Sequence, residues 1–277
     1  MVKIVTDSTS DIPADLVAEW GITVVPSYVM FGMETYRDGV ELSRQQFYEK
    51  LVAAKVIPTT AAPPPDTYLE VYRRLTEETD EIVSIHLASR YSALYSSASI
   101  AAADTSGARI AVVDSEQITM GCGWLVVAAA EAAQRGASLD EIVALVNAMK
   151  PRTRVLAALG TLEYLHRGGR VDWIRAVVGT LLRIKPIIEI RTGEINLAER
   201  ARTLKRSLER LLALVQELGP LERAIVLHTN APDLASGFAD ELQRIHPEWK
   251  RSIGPAGVTI ASHAGPGAVG VACVTVQ

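Results

Sequence analysis

Short apolar runs alternate with longer segments of helical pattern through the first half of the chain. The runs predicted as β-strands are Val2–Thr6, Ile22–Pro26, Glu81–His86 and Arg109–Val113. The segments predicted as helices are Ala14–Glu19, an alanine-rich stretch that ends near Ala103, and Gly121–Arg135. Strands that alternate with helices of this length predict a parallel sheet with helices on both faces.

Helix boundaries in this half have signals of their own. Gly21 and Gly136 follow predicted helices, at the position where glycine commonly ends a helix. Ser138, followed three residues later by Glu141, has the pattern of a capping box, in which two side chains satisfy each other's backbone N–H groups. A further helix is therefore predicted to begin after Ser138.

The second half has an antiparallel component. Lys185–Ile190 and Ile195–Ala198 are predicted strands, and the turn residues between them predict a hairpin. The elements predicted next are a helix from about Arg200 to Leu218, strand Ala224–His228, helix Leu234–His246 and strand Val269–Val276. The chain is thus predicted to be an α/β protein with an N-terminal parallel-sheet domain, residues 1–155, and a C-terminal mixed α/β domain, residues 156–277.

One segment of the first half, Pro58–Pro65, is rich in proline, threonine and alanine. Proline lacks the N–H group that a helix interior or a central strand requires. A loop is therefore predicted here, and we expect residues 56–66 to reach into the cleft between the two domains.

Length and composition narrow the class of protein. The 277 residues are 48 % apolar, which is enough for two hydrophobic cores. A net charge of −4 and an aromatic content of 5 % disfavour nucleic acid as a partner. The most apolar stretch, Gly121–Ala133, is shorter than the roughly 20 residues needed to span a bilayer, and the first residues lack the pattern of a signal peptide. We therefore expect a soluble cytoplasmic protein without a transmembrane segment.

Metal and disulfide chemistry are not indicated. Cys122 and Cys273 are far apart in the sequence, and the five histidines lack the spacing of metal ligands. We expect no metal and no cofactor.

Polar residues follow two of the predicted strands. Thr6–Asp11 reads TDSTSD, and Asp114-Ser115 follows the strand that begins at Arg109. The carboxyl ends of parallel strands are a common place for ligands. The alternative for the first segment is that Ser10 or Asp11 caps the next helix.

Two hydroxyls are candidates for binding an acidic group. Thr60 lies in the proline-rich segment, and Ser92 precedes a predicted helix start. A hydroxyl donates one hydrogen bond and adjusts its rotor to a carboxyl oxygen, and N–H groups at a helix start favour an anion. The alternatives are turn chemistry for Thr60 and helix capping for Ser92.

Two cationic or titratable side chains are further candidates. Arg170 follows two glycines, which allow a tight turn that presents the guanidinium group to a carboxylate or phosphate. His263 precedes a glycine-rich turn and suits either hydrogen bonding to an acid or acid–base chemistry. The alternatives are a solvated arginine at a helix end and a structural histidine.

Basic residues are concentrated in one part of the chain. Between Lys150 and Arg210 there are fourteen Lys or Arg residues against six Asp or Glu. Within this part, Arg200–Arg206 reads RARTLKR, and Arg202 and Arg206 would lie one helical turn apart. Such a run is typical of a solvated helix face, and a phosphate-facing edge is the alternative.

The order of these motifs resembles that of the DegV family from end to end. The motifs that carry the resemblance are TDSTSD at Thr6–Asp11, VVPSYVMFG at Val24–Gly32, TTAAP at Thr59–Pro63, SRYSALYSSA at Ser89–Ala98, VVDS at Val112–Ser115, LEYLHRGGRV at Leu162–Val171, IKPIIEI at Ile184–Ile190, RARTLKR at Arg200–Arg206 and SHAGPGAVG at Ser262–Gly270.

The resemblance implies a lipid carrier rather than an enzyme. Members of the family are two-domain α/β proteins that bind a long-chain fatty acid, such as palmitate, stearate or oleate, between the domains. They present it to a separate fatty acid kinase, which phosphorylates the carboxyl group to an acyl phosphate, a phospholipid precursor. A monomer that needs no cofactor is expected.

The resemblance also implies roles for particular residues. By motif, Thr60, Ser92 and His263 are expected to bind the fatty-acid carboxyl, and Arg170 is expected to support them. Arg200 and Arg202 are the basic residues expected to face the kinase or its nucleotide. The sequence departs from the family motifs at Ala61 and at Ala93-Leu94, where the family has serine, glycine and threonine.

Two other functional classes stay open at this point. One is a hydrolase or transferase acting on a small acid, with Ser92 or Ser8 as nucleophile and His263 as base. The other is an interaction module in which the basic helix binds a partner protein.

Overall fold

The structure, a computed structural model, describes residues 1–53, 56–169 and 184–276. The strands are β1 Lys3–Asp7, β2 Thr23–Val25, β3 Tyr28–Phe31, β4 Glu34–Arg37, β5 Thr59–Ala61, β6 Glu81–His86, β7 Arg109–Asp114, β8 Thr153–Ala158, β9 Lys185–Arg191, β10 Glu194–Ala201, β11 Leu221–His228, β12 Ile253–Pro255 and β13 Val269–Thr275. The helices are α1 Ala14–Glu19, α2 Arg44–Ala53, α3 Pro65–Thr76, α4 Leu94–Ala103, α5 Thr119–Gln134, α6 Leu139–Met149, α7 Glu163–Arg167, α8 Leu204–Glu217, α9 Pro232–Ile245 and α10 Val258–Ala264.

The first half contains the predicted parallel sheet, with strand order β2-β1-β6-β7. Successive residues of β6 point to opposite faces, so that Ile82 packs with α3 and α4 whereas Val83 packs with α5 and α6. The capping box predicted at Ser138 and Glu141 begins α6. The prediction of a parallel sheet with helices on both faces is confirmed.

The second half forms a mixed sheet with strand order β10-β9-β8-β13-β11-β12. Its pairings are antiparallel except that of β12 with β11, and β9 and β10 form the predicted hairpin. Leu211 of α8 and Phe238 of α9 cover one face. The predicted α/β fold class is confirmed.

Helix α5 lies between the two sheets and joins their cores. It contacts β1 on one side and β13 on the other, and Met120, Leu125 and Val126 are fully buried. A helix buried on most sides is apolar around most of its circumference, as α5 is apart from Glu131 and Gln134 near its end. The core therefore continues across the two halves, and β8 spans the predicted division between residues 155 and 156.

A third, three-stranded antiparallel sheet has the order β4-β3-β5. Val29 of β3, Phe47 of α2 and Val258 of α10 are buried together beneath it. The loop prediction for Pro58–Pro65 is wrong at two points, because Thr59–Ala61 forms edge strand β5 and Pro65 begins α3. Proline is tolerated beside an edge strand and in the first turn of a helix, where its missing N–H group has no partner to lose.

The predicted start of the basic helix at Arg200 is also wrong. Strand β10 continues to Ala201, and α8 begins at Leu204 because the Thr203 hydroxyl caps it by accepting the Arg206 N–H at 3.2 Å. Arg200 therefore lies on a strand and Arg202 in the following turn, so Arg202 and Arg206 do not share a helix face.

Two capping alternatives are wrong as well. Helix α1 has Pro13 at its cap position, and Ser10 and Asp11 belong to a preceding 3₁₀ turn that the Asp7 carboxylate caps. Ala93, and not Ser92, occupies the cap position of α4. Within the described residues, every helix is too short or too polar to span a bilayer, and no cluster of potential metal ligands occurs.

Candidate functional site

A cavity, called the tail cavity below, lies between the mixed sheet and the end of the parallel sheet. Its walls are mostly aliphatic, and the residues that provide them are Leu87, Leu94, Ile118, Val155, Leu159, Leu165, Ile188, Ile190, Ile195, Leu227 and Ile260. No Asp, Glu, Lys or Arg side chain lines it in the part of the chain that the structure describes. Such a cavity suits a long apolar ligand.

His228 is one of the titratable residues in the cavity wall. Burial lowers the pKa of its imidazole, since the charged form loses hydration, and its Nδ1 accepts the Ala231 N–H at 3.3 Å. The ring is therefore neutral near pH 7, and this wall carries no charge.

Three predicted residues, Thr60, Ser92 and His263, line the same cavity and are called the head-group site. Thr60 lies on β5, where it pairs with Val29 of β3, and His263 lies in the last turn of α10. The Thr60 Oγ1 and His263 Nε2 atoms are 3.1 Å apart, within hydrogen-bonding distance. Elements distant in the sequence thus bring a hydroxyl and an imidazole to one point of a mostly aliphatic cavity.

The backbone of Gly168 holds the His263 ring from the other side. A Cβ atom at this glycine would lie only 2.5 Å from His263 Nδ1 and 3.1 Å from its Cε1. Any other residue at position 168 would therefore clash with the imidazole in its present position. This close contact explains the first glycine of the predicted Gly168-Gly169-Arg170 turn, while Arg170 itself lies outside the described residues.

Ser92 is half-buried in the turn that precedes α4. The following residue, Ala93, has φ −79° and ψ 4°, which any L-residue adopts without strain. The absence of the family's glycine at this position therefore leaves the backbone undistorted.

Tyr91 joins the two halves beside the head-group site. Its hydroxyl donates to the Gly193 carbonyl at 3.0 Å and accepts the Ile195 N–H at 3.0 Å, both on the β9–β10 hairpin. Burial raises the pKa of this phenol, so it stays protonated and able to donate. The sequence offered one signal for this role, a tyrosine next to a candidate serine, because a buried tyrosine hydroxyl needs a polar partner.

A second, smaller cavity, called the vestibule below, adjoins the head-group site. It is lined by five hydroxyl side chains and four apolar residues, namely Thr9, Ser27, Thr60, Ser92 and Thr259 with Ala61, Ala62, Ala93 and Leu94. Thr60, Ser92 and Thr259 line both cavities, so the two spaces meet there. Sequence reasoning missed Thr9, Ser27 and Thr259, because single hydroxyls from three distant segments have no recognisable spacing.

A series of buried, hydrogen-bonded side chains on strands β1 and β6 has the Ser–His–Asp order of a hydrolase triad. Ser84 Oγ lies 2.7 Å from His86 Nε2, and His86 Nδ1 lies 2.8 Å from Asp7 Oδ2. Tyr72 donates to the Ser84 hydroxyl at 2.8 Å, and all four side chains are fully buried. None of them lines either cavity, and the four side chains satisfy one another's hydrogen-bonding groups within the core.

The hydrolase alternative placed Ser92 or Ser8 against His263. Within the described residues, the hydroxyl that contacts His263 Nε2 belongs to Thr60, and Ser8 instead accepts the Ser27 N–H at 3.0 Å. The serine–histidine contact that nucleophilic catalysis requires is not formed among these residues.

Arg200 and Arg202 lie apart from both cavities. Both side chains are exposed, and no carboxylate in the described part of the chain pairs with either one. Their neighbours Arg206 and Arg210 pair with Glu209 and Glu199. The two arginines therefore contribute to a surface and not to the head-group site.

Comparison with known proteins agrees with this architecture. A family model described as "Uncharacterised protein, DegV family" matches residues 1–276. A DegV domain-containing protein of Caldanaerobacter subterraneus subsp. tengcongensis is 36 % identical over 274 residues, which cover 98 % of this chain and 97 % of the relative.

Solved structures are similar over nearly the full length. A DegV family protein from Thermus thermophilus, described with fatty acid binding, has a TM-score of 0.91 and 33 % identity, with 99 % of each chain covered. A stearic acid-binding protein from Eubacterium ventriosum has a TM-score of 0.90 and 25 % identity over 99 % of this chain and 98 % of the other. The chain belongs to the DegV family.

Proposed function

We propose that this protein binds one long-chain fatty acid, with its carboxyl group at Thr60, Ser92 and His263 and its tail in the tail cavity. The observation that carries the proposal is a mostly aliphatic cavity, lined by no charged side chain among the described residues, in which Thr60, Ser92 and His263 come together. The relatives from Thermus thermophilus and Eubacterium ventriosum, described as fatty acid binding and stearic acid-binding, support the same ligand class.

The free energy of burying methylene groups favours a long acyl chain as the ligand. Each buried methylene contributes about 0.8 kcal/mol of transfer free energy, so a long acyl chain supplies most of the affinity. The immobilised chain loses conformational freedom, which offsets part of this gain. The head-group site needs only to satisfy the carboxyl oxygens, and hydroxyls that donate hydrogen bonds do so.

We further propose that the protein is a carrier, without catalytic activity of its own, and that a separate kinase phosphorylates the bound carboxyl to an acyl phosphate. The exposed Arg200 and Arg202, which pair with no carboxylate among the described residues, support a surface for an acidic or phosphate-bearing partner. We propose that this carrier is a cytoplasmic monomer with domains 1–155 and 156–277. We also propose that Arg170 supports the binding of the carboxyl group.

The ligand is tested first. Purified protein is extracted with organic solvent, the extract is analysed by mass spectrometry, and delipidated protein is titrated with palmitate, stearate and oleate. We expect a fatty acid in the extract and saturable uptake of one molecule per chain. An empty protein that also takes up none of the three acids would show that the function is different.

The kinase partner is tested separately. Loaded protein is incubated with a bacterial fatty acid kinase and ATP, and acyl phosphate is trapped as the hydroxamate. We expect product with the wild-type protein and less with the double variant Arg200→Glu and Arg202→Glu at equal lipid loading. Equal product from both proteins would remove the two arginines from the partner surface.

A further inference from the structure

The vestibule provides a path from the head-group site to the protein surface. Thr60 and Ser92 line it at the inner end, and the exposed Ala61 and Ala93 line it at the outer end. A group joined to the fatty-acid carboxyl would extend into this space and away from the tail cavity. Ala61 and Ala93, together with Leu94, are also the positions at which the sequence departs from the motifs of the family that it resembles.

Two hydroxyl groups in the vestibule have unused hydrogen-bonding capacity. The Ser27 Oγ and Thr259 Oγ1 atoms are buried and have no hydrogen-bond partner among the described residues, and Ser27 as a whole is 2 % exposed. Buried polar groups are normally paired, so an unpaired hydroxyl beside a cavity indicates a ligand or an ordered water. Both lie where a group beyond the carboxyl would be placed.

The amino end of α4 provides a second, independent feature of the same space. Its cap residue Ala93 and first residue Leu94 line the vestibule, and no described side chain caps this ten-residue helix. The first N–H groups of a helix have no acceptor within the helix, and the helix dipole adds partial positive charge there. Such an end favours an anion over a neutral group.

The vestibule offers a ligand hydroxyl and backbone N–H groups and no charged side chain among the described residues. The nearby Asp7 carboxylate is satisfied by His86 Nδ1 at 2.8 Å and by the Thr9 and Leu87 N–H groups at 3.0 and 3.3 Å. Free hydroxyl donors and an uncapped helix end remain to face the ligand, and phosphoryl oxygens accept from both.

We infer that the vestibule is a subsite for the phosphoryl group of a bound acyl phosphate, held by Ser27, Thr259 and the amino end of α4. This inference rests on the proposed function. In the transfer step, a carboxylate oxygen attacks the terminal phosphorus of a nucleoside triphosphate held by the kinase. A C–O–P linkage forms, the bond to the bridging oxygen breaks, and the nucleoside diphosphate leaves with that oxygen.

The test uses two ligands that differ only beyond the carbonyl carbon. Palmitate is compared with the β-ketophosphonate analogue of palmitoyl phosphate, in which a methylene replaces the labile bridging oxygen. The variants are Ser27→Ala and Thr259→Val, which remove one hydroxyl each with little change of volume. Ser96→Ala is the matched control, because its exposed hydroxyl bonds the Ala93 carbonyl of α4 at 2.9 Å and lines neither cavity.

We expect each vestibule variant to weaken analogue binding by about tenfold and to leave palmitate affinity within about twofold, with no effect in the control. Analogue binding that is unchanged in both variants would overturn the subsite while palmitate binding stands. Equal losses for palmitate and analogue would make Ser27 and Thr259 part of the head-group site and would also overturn the inference. If neutral methyl palmitate binds with the same dependence on the two hydroxyls, the vestibule is not specific for phosphoryl groups and the inference is overturned. If palmitate itself does not bind, the proposed function fails first.

Discussion

Thr60 and His263 are 203 positions apart in the sequence, and their Oγ1 and Nε2 atoms lie 3.1 Å from each other in the lining of a mostly aliphatic cavity. The contact links edge strand β5 to helix α10, and both elements pack on β3 in a small core of their own. Thr60 and His263 therefore depend on the packing of the three-stranded sheet with α10, whereas Ser92 follows β6 of the parallel sheet.

Replacement of Thr60 is expected to weaken fatty-acid binding. Thr60→Val keeps the volume but removes the hydroxyl, so one carboxyl oxygen and His263 lose a hydrogen-bond partner, at a cost of about 1–3 kcal/mol. Isothermal titration of delipidated protein with palmitate measures this loss. Thr60→Ser retains the hydroxyl and should bind within a few-fold of wild type. If Thr60→Val binds as tightly as wild type, the carboxyl group does not contact position 60.

Ser92 is expected to behave in the same way and by the same amount. Ser92→Ala removes a half-buried hydroxyl without removing a helix cap, because Ala93 already occupies the cap position of α4. A loss of about 1–3 kcal/mol in palmitate affinity with an unchanged melting temperature is expected. A fall in melting temperature at unchanged affinity would instead assign Ser92 a structural role.

Gly168 offers a test of the imidazole position. Gly168→Ala would place a Cβ atom 2.5 Å from His263 Nδ1, so we expect the ring to shift and the contact with Thr60 to break. Palmitate affinity should fall, and the loss should not add to that of Thr60→Val, since both changes disrupt one pair. The control is Gly237→Ala in α9, where the new methyl meets open space and replaces a glycine within a helix. Fully additive losses would show that Gly168 acts elsewhere.

These residues also show how far the sequence predicts this site. Motif order named Thr60, Ser92 and His263, which line one cavity in the structure, and hydrophobic pattern predicted the strands of the parallel sheet and helix α5. The three-stranded sheet was not predicted, because strands of three or four residues are too short to show a period. Ser27 and Thr259 escaped prediction because their role comes from tertiary packing, which places two ordinary hydroxyls beside one cavity.

Tyr91 is expected to control how long the lipid stays bound. Tyr91→Phe removes both hydrogen bonds to the β9–β10 hairpin, one of the walls of the tail cavity, at a cost of about 1–2 kcal/mol to that contact. We expect a several-fold faster release of a fluorescent fatty acid, measured by stopped-flow displacement with excess oleate. Tyr95→Phe on α4 is the control, since no described residue bonds the Tyr95 hydroxyl. Equal release rates in the two variants would contradict the role of Tyr91.

Asp38 is expected to make stability depend on pH. The pKa of this carboxyl is raised from 3.8 to about 6, chiefly by burial. The negative charge of nearby Asp11 contributes to the rise, and a hydrogen bond from Ser8 opposes it. The folded state therefore holds a proton that the unfolded state releases between about pH 4 and pH 6, so the free energy of unfolding falls as pH rises through this window. Asp38→Asn removes the ionisation and should be more stable than wild type at pH 7 by about 1–3 kcal/mol, with the difference vanishing near pH 4. Urea denaturation across this range measures it, and the exposed Asp80→Asn serves as the control. A variant that is no more stable than wild type at pH 7 would show that Asp38 is ionised in the folded protein without penalty.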